Sequence, residues 1–442
     1  MSKVLEKCVK IQLQSFLEDN NILSDKQFVF RKNKNSSDAL FLVNKKIIGI
    51  INDDKKCLAV FIDLVKAFDS LDRNLLFKKL ECVGIRDTTL QWFKSYLSER
   101  QQIVTILDKT SDIVNVEYGV VQGSTLGPLL FLIYINNLDK LNILGNLFLF
   151  ADDTAIIFEG STWEEVYDRA ACDLKLVNMW FQQNILSLNV DKIKFLPFAL
   201  RSGSEPPAEL ILRLHSCGNI ANVQCNCKVI ERVDNYKYLG VIIDKKLKYE
   251  QHVNYIKNKL RKLIYPFHQL SQILNAKEFK TVYCAFVQSV LNYGIIAYGG
   301  TYKSIIEPLF VVQKSIIKVG LQKNRQYPSE LLFKETSILT VRQLFVRTLL
   351  KYTHSHRDLV LTPVTHNYQT RTAQNVGLQI PRVSKSINNI NSYFIANFLY
   401  RNIPNEFREY RANTVSYKKL ITGWLISLGP GIIEALLSSV YA

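Results

Sequence analysis

What most constrains this chain is where its carboxylates fall. Residues 57–64 (CLAVFIDL) form a continuous apolar run rich in strand formers, interrupted only by Asp63 near its end. Two more apolar runs, 147–150 and 154–158, are joined by Ala151, Asp152 and Asp153. Short apolar runs between polar turns read as buried strands. The first is then a buried strand ending on an acid, and the pair is a hairpin with two adjacent acids at its tip. Carboxylates at the ends of buried strands are costly unless their charge is offset, and neighbouring ones repel. A bound divalent cation accounts for both placements, and hard oxygen ligands suit Mg²⁺. If the strands share a sheet, Asp63 and Asp152 converge, and two cations ~4 Å apart can clamp an in-line displacement at phosphorus. A solvated acidic turn and a helix-capping aspartate explain the spacing alone equally well, so the neighbouring residues decide.

Those neighbours suit a phosphate and a nucleic acid. Phe68 follows Asp63 by five residues. Residues 119–128 (GVVQGSTLGP), with Gln122 and Gly123, form a glycine-rich turn before an apolar helix, and Lys192 and Lys194 follow the acidic hairpin. A loop that lets backbone approach closely, together with basic side chains, is what a triphosphate requires.

The order of these segments resembles a family. The stretches 61–70 (FIDLVKAFDS), 120–138 (VVQGSTLGPLLFLIYINNL), 150–153 (FADD), 186–195 (LSLNVDKIKF) and 238–244 (YLGVIID) resemble reverse transcriptases. More narrowly, they resemble those of jockey-like non-LTR retrotransposons. Residues 23–37 (LSDKQFVFRKNKNSS) resemble the family's fingers motif.

The resemblance implies an α+β right-hand polymerase. Its parts would be partial fingers and an antiparallel palm over 1–244, a thumb over 245–300, and a basic helical region over 301–442. It implies RNA-directed DNA synthesis with two Mg²⁺ ions, or Mn²⁺ in their place, on Asp63, Asp152, Asp153 and the carbonyl of Leu64. Phe68 would be the gate against a 2′-hydroxyl. Gln122 and Gly123 would line the nucleotide pocket, with Lys192 near the leaving pyrophosphate. Arg31 would face template or nucleotide, Leu239 and Gly240 would grip the primer, and Lys257, Lys259, Arg261 and Lys262 would track the template–primer backbone. The implied partners are an RNA template, a DNA primer, dNTPs and a separate endonuclease or nicked DNA end. A catalytically inactive nucleic-acid binder and an RNA-dependent RNA polymerase are the alternatives. Ala151 stands where the latter usually has glycine.

Three departures accompany the resemblance. The chain starts without the family's further upstream fingers and without an endonuclease, which reads as a truncated element copy or a partial gene model. The family's QFGFR stands as Gln27-Phe28-Val29-Phe30-Arg31, which strains Val29 if that position needs positive φ. The family's Lys-Thr-Lys stands as Lys192-Ile193-Lys194.

Charge supports a polyanionic partner. The 442 residues carry a net +17, and the last 142 hold 18 Lys and Arg against 7 Asp and Glu. Only one of those seven acids is an aspartate, Asp358, so a second multi-aspartate metal site is not expected there. With Arg342, Arg347, Lys351, Arg357 and Arg371, this part resembles the family's helical C-terminal region, which implies a surface for element RNA or target DNA. No signal peptide is evident. The apolar segment 421–442 is interrupted at Gly429-Pro430-Gly431 and reads as a docked helix pair, short of the ~20 residues a membrane span needs. A ribonucleoprotein of nucleus and cytoplasm, without membrane contact, is the expected setting. The eight cysteines do not form a disulfide framework. His215, Cys217, Cys225 and Cys227 are dense enough for zinc. However, the Cys-x-Cys spacing and the leading histidine depart from the usual pattern, so they read as a free-thiol loop.

Periodicity places helices at 3–19, 38–52, 71–82, 88–97, 129–138 and 163–181, the last opened by a Thr162–Glu165 capping pair. Further helices are expected at 250–272, 276–296 and 303–320. A hairpin at 102–107 and 113–118 should turn on 108–111, and strands are expected at 186–190, 194–198 and 236–244.

Overall fold

The computed structural model describes residues 2–439 apart from 202, 216, 218–224, 364–377, 380–385 and 411–412. The chain divides into two compact units. Met1–Ala39 with Lys55–Asp234 form the first, and Leu40–Asp54 with Asn235–Ala442 form the second. Residues 236–244 and the helices that follow them fall in the second unit.

The first unit is built on a five-stranded sheet. Its strands are β1 (Lys56–Ile62), β6 (Asn146–Phe150), β7 (Asp153–Gly160), β8 (Lys194–Phe198) and β9 (Glu231–Arg232), in the order β6-β7-β1-β8-β9. All pairs are antiparallel except β8–β9. β1 is central, and Cys57 to Ile62 are all buried, so both faces of the strand are covered. Its apolar run is continuous rather than alternating for that reason. Helix α6 (Trp163–Gln183) packs on β7 and β1. The Thr162 hydroxyl caps it by accepting from the Glu165 N–H, while the Glu165 carboxylate accepts from Ser161 N–H. Helix α5 (Gly127–Ile135) is apolar on every side and buries all its residues but Pro128.

Helices α1 (Ser2–Asp19), α3 (Arg73–Cys82) and α4 (Asp87–Leu97) fall near their expected positions. The start of α3 is later than expected because Asp72, not Ser70, is the N-cap and accepts from Leu75 N–H at 2.7 Å. Helix α2 (Ser36–Asn52) begins in the first unit and continues into the second. Four two-residue strands, β2 (Gln101–Gln102), β3 (Thr105–Ile106), β4 (Lys109–Thr110) and β5 (Val114–Asn115), form the expected hairpin, but it turns on Leu107 and Asp108. Leu107 sits at the tip with φ 53°, a position its apolar character hides. Residues 186–190 do not form a strand. Leu188 makes one bridge to Leu64, and the Asn189 N–H is used on the carbonyl of Asp63 at 2.9 Å.

The second unit opens with a hairpin, β10 (Asn235–Tyr238) and β11 (Val241–Asp244), where one strand was expected. Leu239 (φ 44°) and Gly240 (φ 78°) form its two-residue turn. Positive φ at both positions is the geometry that matches strand twist. Helices follow: α7 (Glu250–Arg261), α8 (Ile264–Leu270), α9 (Ala276–Tyr283), α10 (Ser289–Asn292), α11 (Ile295–Tyr298), α12 (Lys303–Gly320), α13 (Ser329–Thr336) and α14 (Val341–Ser355). Asn275–Glu278 and Thr340–Gln343 are capping boxes for α9 and α14. The helix Thr414–Ser438 packs on α14 and buries Tyr417, Ile421, Leu425, Ile433 and Leu437. It is the one described helix long and apolar enough to cross a membrane, but Gly429 (φ 74°, ψ 170°) breaks it.

Candidate active site

The sheet register brings the three acids together. Ile62 pairs with Thr154, and Phe150 pairs with Asp153, so Asp63 leaves β1 beside the β6–β7 turn. That turn is the two residues Ala151 and Asp152, and Ala151 has φ 55°. Gln27, 3% exposed, holds it from below: its side-chain oxygen accepts from Ala151 N–H at 3.2 Å and from Phe28 N–H at 3.1 Å. Sequence reasoning missed Gln27. The signal was its place in the fingers-like motif, where a polar residue ahead of two phenylalanines is buried.

The electrostatics of this end are those of an acid cluster partly offset by Lys192. Asp153 is open to solvent, yet the protein atoms crowded around it and the carboxylates of Asp152 and Asp63 push its carboxyl up to about 6, against the opposing pull of Lys192. Asp63 Oδ2 is buried and accepts no hydrogen bond; its one partner is the Lys192 ammonium, an ion pair at 3.2 Å. Asp152 and Asp63 are both near enough to Asp153 for their charges to act on it, and carboxylate oxygens are the hard donors that divalent cations take. Leu64, next in the chain, is buried and bridged to Leu188.

Phe68, Gln122 and Gly123 also lie in the first unit. Phe68 is half-buried and stacks on Phe131, with ring centroids 4.5 Å apart. Its carbonyl accepts from Val120 N–H at 2.9 Å, and Leu71 accepts from Gly119 N–H at 2.8 Å, so the 119–123 loop lies against the 68–71 turn. Gly119 has φ 78°, and a Cβ there would meet Asp69 Cα and O at 2.7 Å. Arg73 clamps the same loop, donating to the carbonyls of Val116, Tyr118 and Gly119. The Gln122 amide nitrogen donates to both carboxylate oxygens of Asp69 at 2.7 Å, a partner that spacing did not reveal. Gly123 has φ 73° and open space where a Cβ would sit.

Arg31 points elsewhere. Its guanidinium bonds both carboxylate oxygens of Glu18, at 2.9 and 2.7 Å, and the carbonyls of Leu23 and Ser24, and its side chain is 8% exposed. Its donors are engaged in tying α1 to the following loop rather than turned to a ligand. The left-handed residue in this motif is Phe30 (φ 55°), not Val29.

In the second unit, the Tyr293 hydroxyl donates to the carbonyl of Leu239 at 2.9 Å, and its ring fills the space a Gly240 Cβ would need. On α7, Val253, Ile256 and Leu260 face inward. Lys259 and Arg261 are exposed, as is Lys262 just beyond the helix, beside exposed Tyr255 and Tyr265; Lys257 is half-buried and bonds Asn254. The basic surface expected further on is smaller than its charge implies. Arg342 and Arg347 lie on the buried face of α14, and Arg342 donates to Gly299 O at 2.7 Å. Arg357 donates to the carbonyl of Arg408. Lys351 is exposed, and Arg371 lies outside the described residues.

Residues 1–243 match the family described as reverse transcriptase (RNA-dependent DNA polymerase). Among curated relatives, a probable RNA-directed DNA polymerase from transposon BS of Drosophila melanogaster is 25% identical over 371 residues, covering 80% of this chain and 38% of the relative. The RNA-directed DNA polymerase from mobile element jockey of the same organism is 24% identical over 334 residues, covering 72% and 34%. The chain thus spans less than two fifths of the length of these relatives. Among solved structures, a telomerase from Candida albicans in complex with a fragment of telomeric RNA is 13% identical, with a TM-score of 0.40 over 76% of this chain and 57% of that one. With the family match extending over more than half of its residues and an acidic turn at the end of its antiparallel sheet, this chain belongs to the reverse transcriptase (RNA-dependent DNA polymerase) family.

Proposed function

We infer that this chain extends a primer 3′-hydroxyl with deoxynucleotides while copying an RNA template. The observation that carries the reading is the register that sets Asp63, at the end of β1, beside the β6–β7 turn with Asp152 and Asp153, close enough for their charges to raise the Asp153 carboxyl. Members of the family are generally divalent-metal dependent. Asp63, Asp152, Asp153 and the carbonyl of Leu64 would hold Mg²⁺, with Mn²⁺ as its substitute. When bound, such ions acidify the primer hydroxyl and neutralise the incoming triphosphate.

The protein's own residues do the rest. Phe68, held by Phe131, fills the space beside the sugar and excludes a 2′-hydroxyl. Gln122 and Gly123 line the nucleotide pocket, with Gln122 oriented by Asp69. Lys192, paired with Asp63 at 3.2 Å, is the cation nearest the phosphates. Leu239 and Gly240 hold the primer end, and Lys257, Lys259, Arg261 and Lys262 follow the template–primer backbone. A nicked DNA end made by a separate endonuclease supplies the primer.

The test is primer extension on an RNA template with Mg²⁺ and dNTPs, comparing wild type with the Asp152→Asn/Asp153→Asn double variant. Extension by wild type alone is expected. Salt-sensitive binding without extension by either protein overturns the reading and leaves a binder. Equal use of ribonucleotides would instead indicate RNA synthesis.

A further inference from the structure

We propose that His215, Cys217, Cys225 and Cys227 form a structural zinc site at the edge of the catalytic sheet. This does not rest on the polymerase reading. The four ligand atoms, one from each residue, all lie within 4.8 Å of one another. Cys217 Sγ and Cys225 Sγ are 3.6 and 3.4 Å from His215 Nδ1, and Cys227 Sγ is 3.5 Å from Cys217 Sγ. A tetrahedral zinc with bonds of ~2.3 Å to sulfur and ~2.0–2.1 Å to nitrogen has edges of about 3.8 Å between sulfurs and about 3.5 Å from sulfur to nitrogen. Those three separations match such edges to within a few tenths of an ångström, and the other three of the six lie within 4.8 Å. A disulfide needs ~2.05 Å between sulfurs, and none of the three cysteines is in such a bond.

The backbone is built to make this meeting. Leu214 N–H donates to Lys228 O at 3.0 Å, Ile230 N–H donates to Leu212 O at 2.9 Å, and Arg213 bridges Val229 in an antiparallel ladder. His215 and Cys227 are the first residues beyond that ladder on its two strands, and Cys217 and Cys225 come next. The ladder therefore brings two pairs of ligands face to face although the Cys-x-Cys spacing is unusual. The Asn178 amide approaches the carbonyl of His215 at 3.5 Å, and His215 is buried. Arg213 donates to the carbonyl of Cys227 at 2.9 Å.

A packing explanation fits poorly. Cysteines that serve as small hydrophobes are buried singly in apolar surroundings, as Cys57 is in β1, at 0% exposure. Cys217, Cys225 and Cys227 are only half-buried and point at a common centre. Four protein ligands leave no open position, which marks a structural rather than a catalytic zinc. The site has a path to the acids: Lys228, next to Cys227, pairs with Asp191, and the following residue, Lys192, pairs with Asp63. Zinc here would fix the 212–230 hairpin and, through it, the turn that carries Lys192.

The experiment uses the full chain, produced with zinc present and desalted. Elemental analysis should give about one zinc per chain, and Co²⁺ loading should give the visible bands of a tetrahedral thiolate site. Cys225→Ser/Cys227→Ser should lose the metal, while Cys82→Ser/Cys172→Ser, at exposed positions away from the site, should keep it. If the ligand variants do not fold, wild type still decides: denatured without reductant, it should release its zinc and titrate eight free thiols. A folded wild type with no bound zinc, or zinc retained by Cys225→Ser/Cys227→Ser, overturns the proposal. So does a titration two thiols short, which would mean a disulfide.

Discussion

Gly119 sets the distance between the loop carrying Gln122 and the turn carrying Phe68, and replacing it with alanine gives a quantitative test of that placement. A methyl there would lie 2.7 Å from Asp69 Cα and O and 2.8 Å from Phe68 O. All three are backbone atoms, so no side chain can swing aside. Alanine in left-handed backbone costs about 1–2 kcal/mol, and overpacking against fixed neighbours adds about 1–3 kcal/mol. Gly119→Ala should therefore destabilise the first unit by about 2–5 kcal/mol. Gly123→Ala is the matched control: its φ of 73° carries the same conformational cost, but its Cβ meets nothing within 4 Å. That variant should lose only about 1–2 kcal/mol. Urea unfolding followed by tryptophan emission reads the difference, because three of the four tryptophans, Trp92, Trp163 and Trp180, are in the first unit. Equal midpoints for the two variants would refute the reasoning. The loop would then shift freely, and its contact with the 68–69 backbone would not place Gln122 and Phe68.

Arg31→Ala should cost about 3–5 kcal/mol, since it strands the Glu18 carboxylate and two carbonyls; near-wild-type stability with weakened template binding would restore the ligand-facing role. Burial, helped by Lys237, lowers the His252 pKa to about 4 from an ordinary 6.5, and its Nδ1 accepts from Ile242 N–H. The unfolded chain therefore takes up the proton first, so the stability this residue contributes is full above pH 6.5 and declines as pH falls toward 4, by about 1.4 kcal/mol per unit. Urea midpoints at pH 7, 6 and 5 should show that slope, and His252→Gln should flatten it; a slope unchanged in the variant assigns it to other groups. Replacing exposed Lys259, Arg261 and Lys262 by glutamine should leave folding intact and reduce the slope of log affinity against log salt by about 2–3 for a template–primer duplex. An unchanged slope removes this face from the nucleic-acid path.

The acidic centre was legible because its signals are intrinsic to short segments. β1 and the β6–β7 hairpin are continuous apolar runs, and few arrangements tolerate acids at their ends. Less legible were features that depend on what lies opposite. Arg342 and Arg347 read as surface by charge, yet the face of α14 they occupy is inward. The turn at Leu239-Gly240 was hidden because leucine rarely enters left-handed backbone, and here Tyr293 holds its carbonyl. Gln27 looks like an ordinary polar residue until the Ala151 amide is seen to need an acceptor. The cysteine–histidine cluster has the wrong spacing along the chain and a suitable one across the 212–230 ladder.

The central position of β1 has a consequence during synthesis. Its register partners on β7 and β8 lie about 100 to 140 residues later in the chain. At ~5–20 residues per second, a ribosome needs roughly 5–30 s to make them. Throughout that time Cys57 to Ile62 forms an uncharged six-residue segment, rich in strand formers and free of proline, the composition most prone to pair with another chain. The strand that presents Asp63 is thus the part of the nascent protein most in need of a chaperone, and translation rate through residues 63–200 should govern how much chain escapes aggregation.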